Sequence, residues 1–224
     1  MRDVLLDEII GSTRLTAKEQ NPMNRLNLAR VGGGLAAILG GLLIVVAAIV
    51  GLFVDFDNVA VAATGSYILF AILSLLGAIL VLGALVGLYA RQSEQAGALG
   101  LLGFLVAFLG TALAVGAFWA ITFTEPAFAQ VAPELLAQGP PGWLNFGFTL
   151  SFALTALGWL LFGVATLRAG VYPRAAAILL IVGALISLVP LPLTEVILAV
   201  AIAWLGLELF RGRGDSAEQP ARVR

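Results

Sequence analysis

The chain has 224 residues, of which 61% are apolar and 11% charged, and its formal net charge is −1. Soluble domains carry about a quarter charged residues, so this composition indicates an integral membrane protein, and it lacks the strong basic charge typical of nucleic-acid binding. Histidine and cysteine are absent, which excludes disulfides, imidazole-ligated haem, the usual zinc sites and histidine or cysteine catalysis. We therefore expect no cofactor, no metal site and no enzymatic activity.

Residues 1–30 form a polar segment ahead of the first apolar run. Val4, Leu5 and Ile9 recur at helical spacing among acidic residues, which predicts a short amphipathic helix on the cytoplasmic side. Two roles stay open for it, resting on the membrane interface or docking a partner. Met23, which precedes a short basic stretch and then the apolar run, is an alternative start of the chain.

Six apolar runs follow, and each predicts a transmembrane helix, since about 20 residues cross a hydrocarbon layer about 30 Å thick. The predicted fold is therefore an all-α bundle of six transmembrane helices within residues 31–210. Residues 91–95 are predicted as a tight turn, residues 127–137 as a short interfacial helix in a long outer loop, and residues 211–224 as a disordered tail. The predicted spans are 31–53, 62–90, 97–123, 143–167, 174–189 and 193–210.

The basic residues predict the orientation of these helices. Of the twelve Lys and Arg residues, five precede the first span, one lies between the second and third, two between the fourth and fifth, and four follow the sixth. The outer loops instead carry the acids Asp55, Asp57, Glu125 and Glu134. Cytoplasmic loops retain Lys and Arg, so both termini are predicted to be cytoplasmic in a multi-pass protein of the inner (plasma) membrane.

Small residues mark candidate helix-packing positions, because backbones in lipid associate where side chains let them approach closely. Gly83 and Gly87 form a GxxxG pair in the second span, and Ala47 and Gly51 form a similar pair in the first. We expect these faces to pack within the molecule. The alternative is a homodimer formed through the Gly83 face.

Glu195 is the sharpest candidate for a functional residue, because ionisable groups within a membrane are costly. Pro190 and Pro192 interrupt the chain just before it, which resembles the broken helices of transporter sites. The simpler interpretation places Glu195 in the first turn of the sixth helix, where the helix dipole favours a carboxylate and outer water reaches it. A possible polar cavity around it would use Asn145, Thr149, Trp159 and Trp204, although such residues more often bridge helices.

The segment at residues 157–186, LGWLLFGVATLRAGVYPRAAAILLIVGALI, joins two apolar runs through a basic turn. Gly170 is predicted to end one helix in a left-handed conformation and Pro173 to start the next. With Arg168 and Arg174 these residues form an R-x-G-x-x-P-R pattern. The pattern resembles a region of uncharacterised six-helix bacterial membrane proteins, whose families have no known function. The resemblance implies a bacterial inner-membrane protein and supplies no catalytic residues.

Two functions follow as hypotheses. The sequence favours a non-catalytic accessory or structural subunit that packs in the lipid bilayer with another membrane protein or with a second copy of itself. The alternative is a small-solute transporter or channel that uses Glu195 near the Pro190/Pro192 break.

Overall fold

The computed structural model describes residues 30–189 and 193–212, and every regular element within them is helical. The predicted N-terminal helix and nearly all of the predicted tail lie outside these residues. Six α-helices and one short 3-10 helix occur in the described part of the chain. In order they are α1 (Arg30–Gly51), the 3-10 helix (Val59–Ala63), α2 (Gly65–Val131), α3 (Pro133–Ala137), α4 (Gly142–Ala169), α5 (Arg174–Ile186) and α6 (Thr194–Arg211).

Helix α2 consists of two arms, residues 65–96 and 98–131, which meet at Gly97. The backbone of Gly97 has φ 57° and ψ −154°, a region that is open essentially to glycine alone. The arms run antiparallel, because the Tyr67 hydroxyl donates to the Glu125 carboxylate at one end and the rings of Tyr89 and Phe104 stack 4.5 Å apart near the other. The predicted turn at 91–95 is therefore wrong, since these residues are helical and the chain reverses at one glycine.

Helices α1, α2 and α4 are long and apolar enough to cross a membrane. The prediction of an all-helical membrane protein is confirmed at this level. Helix α5 is different, because its 13 residues extend about 20 Å, less than the hydrocarbon thickness of about 30 Å. It ends at Ile186 rather than at residue 189, as the predicted span would have it.

Glycines on α1 bring it close to two neighbours. A Cβ atom added to Gly33 would lie 2.8 Å from the Cα of Gly87 on the first arm of α2. One added to Gly41 would lie 2.5 Å from the carbonyl oxygen of Ala199 on α6. Real Cβ atoms do not approach so closely, so α1 fits between the first arm and α6 only because these positions lack side chains.

The same device joins the remaining helices. Gly158 of α4 lies directly against Ala107 on the second arm of α2, with no room for a Cβ atom. Gly183 of α5 would meet the backbone nitrogen of Leu198 on α6 at 2.6 Å. Around these contacts the buried core consists mainly of Ala and Leu, with Trp159 and Phe162 as its largest side chains.

The described arginines all lie at one end of the bundle, where Glu94 and Glu208 accompany them. We call this end the basic end. Its arginines lie at the start of α1, near the reversal of α2, on both sides of the α4–α5 turn and at the end of α6. They are Arg30, Arg91, Arg168, Arg174 and Arg211. The Arg91 guanidinium donates to the carbonyl oxygen of Glu208 (2.6 Å), which ties α2 to α6 there. The opposite, acidic end carries Asp55, Asp57, Glu125 and Glu134.

Candidate functional site

The hairpin formed by α5 and α6 stops part-way along α4. Its tip lies about 20 Å from the start of α5, whereas the 28 residues of α4 beside it extend about 42 Å. Leu193, at the tip, has a left-handed backbone (φ 70°), which is strained for a branched side chain. Glu195 follows in the first turn of α6, so its carboxylate lies at the depth of the middle of α4.

A cavity of about 80 Å³ lies at this tip, where α1, both arms of α2, α4 and the hairpin meet. Most of its wall is apolar, and five lining side chains carry a polar group. The lining residues are Ile44, Ala78, Val81, Thr111, Ala114, Phe118, Phe152, Thr155, Trp159, Ser187, Glu195, Leu198, Ala199 and Ile202.

Hydrogen bonds fix most polar groups of the cavity. The Trp159 indole Nε1 donates to Thr111 Oγ1 (3.2 Å), which links α4 to the second arm of α2. Thr155 Oγ1 donates to the carbonyl oxygen of Ser151 (2.8 Å), and Ser187 Oγ donates to that of Ala184 (2.9 Å). Because these two hydroxyl protons are bonded to the backbone, the hydroxyl oxygens keep lone pairs that can accept from a bound group.

Glu195 differs from the other polar residues of the cavity. It is exposed at the hairpin tip, and part of its side chain lines the cavity. Its carboxylate makes no hydrogen bond or ion pair within the described part of the chain. The dipole of α6 favours a negative charge at this position, because Glu195 lies in the first turn of that helix. The Glu195 carboxylate is therefore available to accept hydrogen bonds from a bound solute.

The structure brings together two of the five residues predicted for a polar site, Glu195 and Trp159. Asn145 and Thr149 are exposed on the part of α4 nearest the acidic end, and Trp204 lies on α6 outside the cavity. Sequence reasoning did not include Thr111, Thr155 or Ser187 in this site. An isolated Thr in an apolar arm was the available signal for Thr111, but no local pattern pairs it with a tryptophan 48 residues away.

The predicted packing residues occupy different environments. Gly87 is buried against Gly33 of α1, whereas Gly83 is exposed and a Cβ atom there would meet nothing within 4 Å. Ala47 is 2% exposed, and an added Cβ on Gly51 would lie 3.4 Å from the Phe70 ring. Gly83 and Gly87 therefore do not serve one common contact in this molecule.

A second polar cluster lies at the basic end. The Arg91 guanidinium lies 5.0 Å from the Tyr172 ring centroid, and the Tyr172 hydroxyl donates to the carbonyl oxygen of Leu88 (3.2 Å). Burial raises the pKa of the Tyr172 phenol, although the Arg91 charge acts in the opposite direction. The phenol thus remains a hydrogen-bond donor. Gly170 ends α4 with φ 67° and Pro173 precedes α5, as predicted, so this cluster anchors the α4–α5 turn.

Fold and cavity together define an all-helical membrane protein with a small, mainly apolar cavity at the tip of a short helical hairpin. The chain matches no protein-family model, no curated protein and no solved structure. The resemblance to uncharacterised bacterial membrane proteins consequently stays a prediction, and the candidate site rests on its own geometry.

Proposed function

We propose that this protein is a multi-pass protein of the inner membrane that binds a small solute in the cavity at the hairpin tip and moves it across the membrane. The observation that carries the proposal is Glu195, an exposed carboxylate without a partner in the described residues, which lines a mainly apolar cavity part-way along the bundle. Such a group is costly in a membrane and is rarely retained without a role. Transporter sites commonly lie where helices are broken near the bilayer midplane.

In the proposed arrangement α1, both arms of α2, α4, α5 and α6 all enter the membrane, and both termini are cytoplasmic. The basic end faces the cytoplasm, which agrees with the preference of Lys and Arg for that side. Since α5 is too short to cross, the α5–α6 hairpin enters from the cytoplasmic side and stops at the cavity. Beyond its tip, α4 continues toward the acidic end with exposed side chains such as Trp143 and Phe146. In this arrangement a solute bound in the cavity would be reached alternately from the cytoplasmic side and from the outer side of the membrane.

The test is solute uptake into proteoliposomes, with methylammonium, methanesulfonate and urea as probes that differ in charge but are all small. A cavity-filling variant, Ala114→Leu, supplies the comparison, because Ala114 is buried and lines the cavity. We expect uptake of at least one probe to fall to the protein-free level in that variant. Gly116→Leu adds bulk to the exposed side of the same arm, where nothing lies within 4 Å, and should leave uptake unchanged.

Uptake that exceeds the protein-free level for none of the three probes contradicts transport. Uptake that survives Ala114→Leu contradicts the assignment to this cavity.

A second candidate is the accessory subunit that packs with a partner membrane protein or a second copy. The observation in its favour is Gly83, which is exposed and open on the first arm of α2. Small residues of this kind mark helix contacts in lipid. Gly83→Leu should then reduce the apparent size of the protein in native gels, and unchanged migration counts against this role. Gly87 is unsuitable for the test, because its contact with Gly33 lies within the molecule.

A further inference from the structure

The geometry points to a small organic cation, a primary ammonium group on a compact apolar body, as the solute that this cavity binds. The inference rests on the proposed function, since it names the chemical class of the solute for the same site. Three properties of the cavity carry it, namely its charge, the polarity of its hydrogen-bonding groups and its size.

The first property is that an acid lines the cavity and no described base does. Glu195 is the one charged side chain among the described residues that line it, and the described arginines lie at the basic end. An ion in a low-dielectric environment requires a partner of opposite charge, because solvation is lost there. The rings of Phe118 and Phe152, whose centroids are 5.8 Å apart, also line the wall, and aromatic faces attract cations.

The hydrogen-bonding groups of the cavity mainly accept. The protons of Thr155 and Ser187 are bonded to backbone carbonyl oxygens, and the Trp159 N–H is bonded to Thr111. Only the Thr111 hydroxyl retains a proton without an acceptor in the described residues. An ammonium group has three donors and no acceptor, so it complements the Glu195 carboxylate and the free lone pairs. An anion would find almost no donors.

The size of the cavity limits the rest of the solute. About 80 Å³ of space accommodates on the order of five solvent-sized groups. The apolar wall, which includes Val81 and Ile202, suits a compact hydrocarbon body attached to the charged head. A branched alkylammonium ion satisfies all three requirements.

The experiment compares tert-butylammonium with tert-butanol, which share one shape and differ in charge. Binding is measured by calorimetric titration of the full chain in lipid nanodiscs at neutral pH, with Ala114→Leu nanodiscs subtracted to remove partitioning into lipid. We expect saturable tert-butylammonium binding that Glu195→Gln weakens about tenfold or more, because a charge-assisted hydrogen bond is lost. Binding of tert-butanol should be about tenfold or more weaker and should not respond to Glu195→Gln.

The outcomes separate this inference from the proposed function. Equal binding of the two probes, removed by Ala114→Leu, overturns the cation preference and leaves a solute-binding cavity. Saturable binding of neither probe overturns the cation inference, whereas the proposed function fails only if the uptake test fails as well. The comparison of the two probes on the unaltered protein decides the matter even where Glu195→Gln does not fold.

Discussion

Gln92 lies on α2 beside Arg91 and is 0% exposed, yet neither atom of its side-chain amide has a hydrogen-bond partner within the described part of the chain. A buried polar group without a partner costs about 1–3 kcal/mol. Other buried polar side chains of the bundle avoid this cost, as Thr166 does by donating to the carbonyl oxygen of Phe162 (2.8 Å). Gln92 is thus a point where the fold tolerates local instability.

Replacement of this amide by a hydrocarbon should stabilise the protein. We expect Gln92→Leu to raise the free energy of unfolding by about 1 kcal/mol or more, because the unsatisfied amide is removed and the volume is retained. Thermal unfolding in detergent, followed by the fraction that remains monodisperse, measures the change. Gln95→Leu provides the matched control, since Gln95 is exposed on the same helix and should shift the midpoint little.

A lower unfolding midpoint for Gln92→Leu would contradict this account. It would indicate that the amide has a partner outside the described residues.

Close approach of backbones sets the arrangement of the helices. Gly158 against Ala107 and Gly110 against Thr155 hold α4 to the second arm of α2 at two levels. Trp159 and Thr111 join the same pair of helices next to the cavity. A change in this contact therefore alters both the stability of the bundle and the shape of the site.

Gly158→Ala should force α4 away from α2. We expect a loss of about 1–3 kcal/mol in stability, typical of overpacking, together with loss of solute uptake because Trp159 follows directly in the chain. Gly147→Ala on the same helix adds a methyl group where nothing lies within 4 Å, and helix propensity predicts a neutral or slightly stabilising effect. Equal stabilities for the two variants would contradict this expectation, because they would show that α4 can move away from α2 without a loss of stability.

The predicted packing motifs illustrate what local patterns reveal about helix contacts. Gly83 and Gly87 have the spacing of a packing pair, but α1 contacts Gly87 alone. Spacing identifies a small-residue face, whereas the neighbour that fills it depends on the positions of the other helices. Gly97 was assigned to the start of a helix, and its positive φ is visible only in the structure.

At the scale of the whole molecule, charge and hydropathy describe the orientation. The basic end carries all five described arginines, and large apolar side chains cover much of the surface between the two ends. This distribution is the reverse of a soluble protein, whose surface lacks large apolar patches. It suits a lipid environment, where apolar surface carries no penalty.

The absence of cysteine allows a direct test of orientation. Asp57→Cys and Glu94→Cys place single thiols at exposed positions near the acidic and basic ends. In intact spheroplasts a membrane-impermeant maleimide should label Asp57→Cys and should label Glu94→Cys only after the cells are opened, because basic segments stay in the cytoplasm. The reverse pattern would contradict the proposed orientation, and labelling of both in intact cells would contradict a membrane between them.

The sequence by itself determined that this is a helical membrane protein, where its long apolar segments lie, and that Gly170 and Pro173 form the α4–α5 turn. Hydropathy and turn chemistry are properties of neighbouring residues, so they can be read along the chain. Only the tertiary structure decided that α5 and α6 stop part-way along α4 and that Glu195, Trp159, Thr111 and Ser187 line one cavity. That arrangement depends on glycines that let distant helices approach one another, and the spacing of these glycines does not indicate which helix will lie against them.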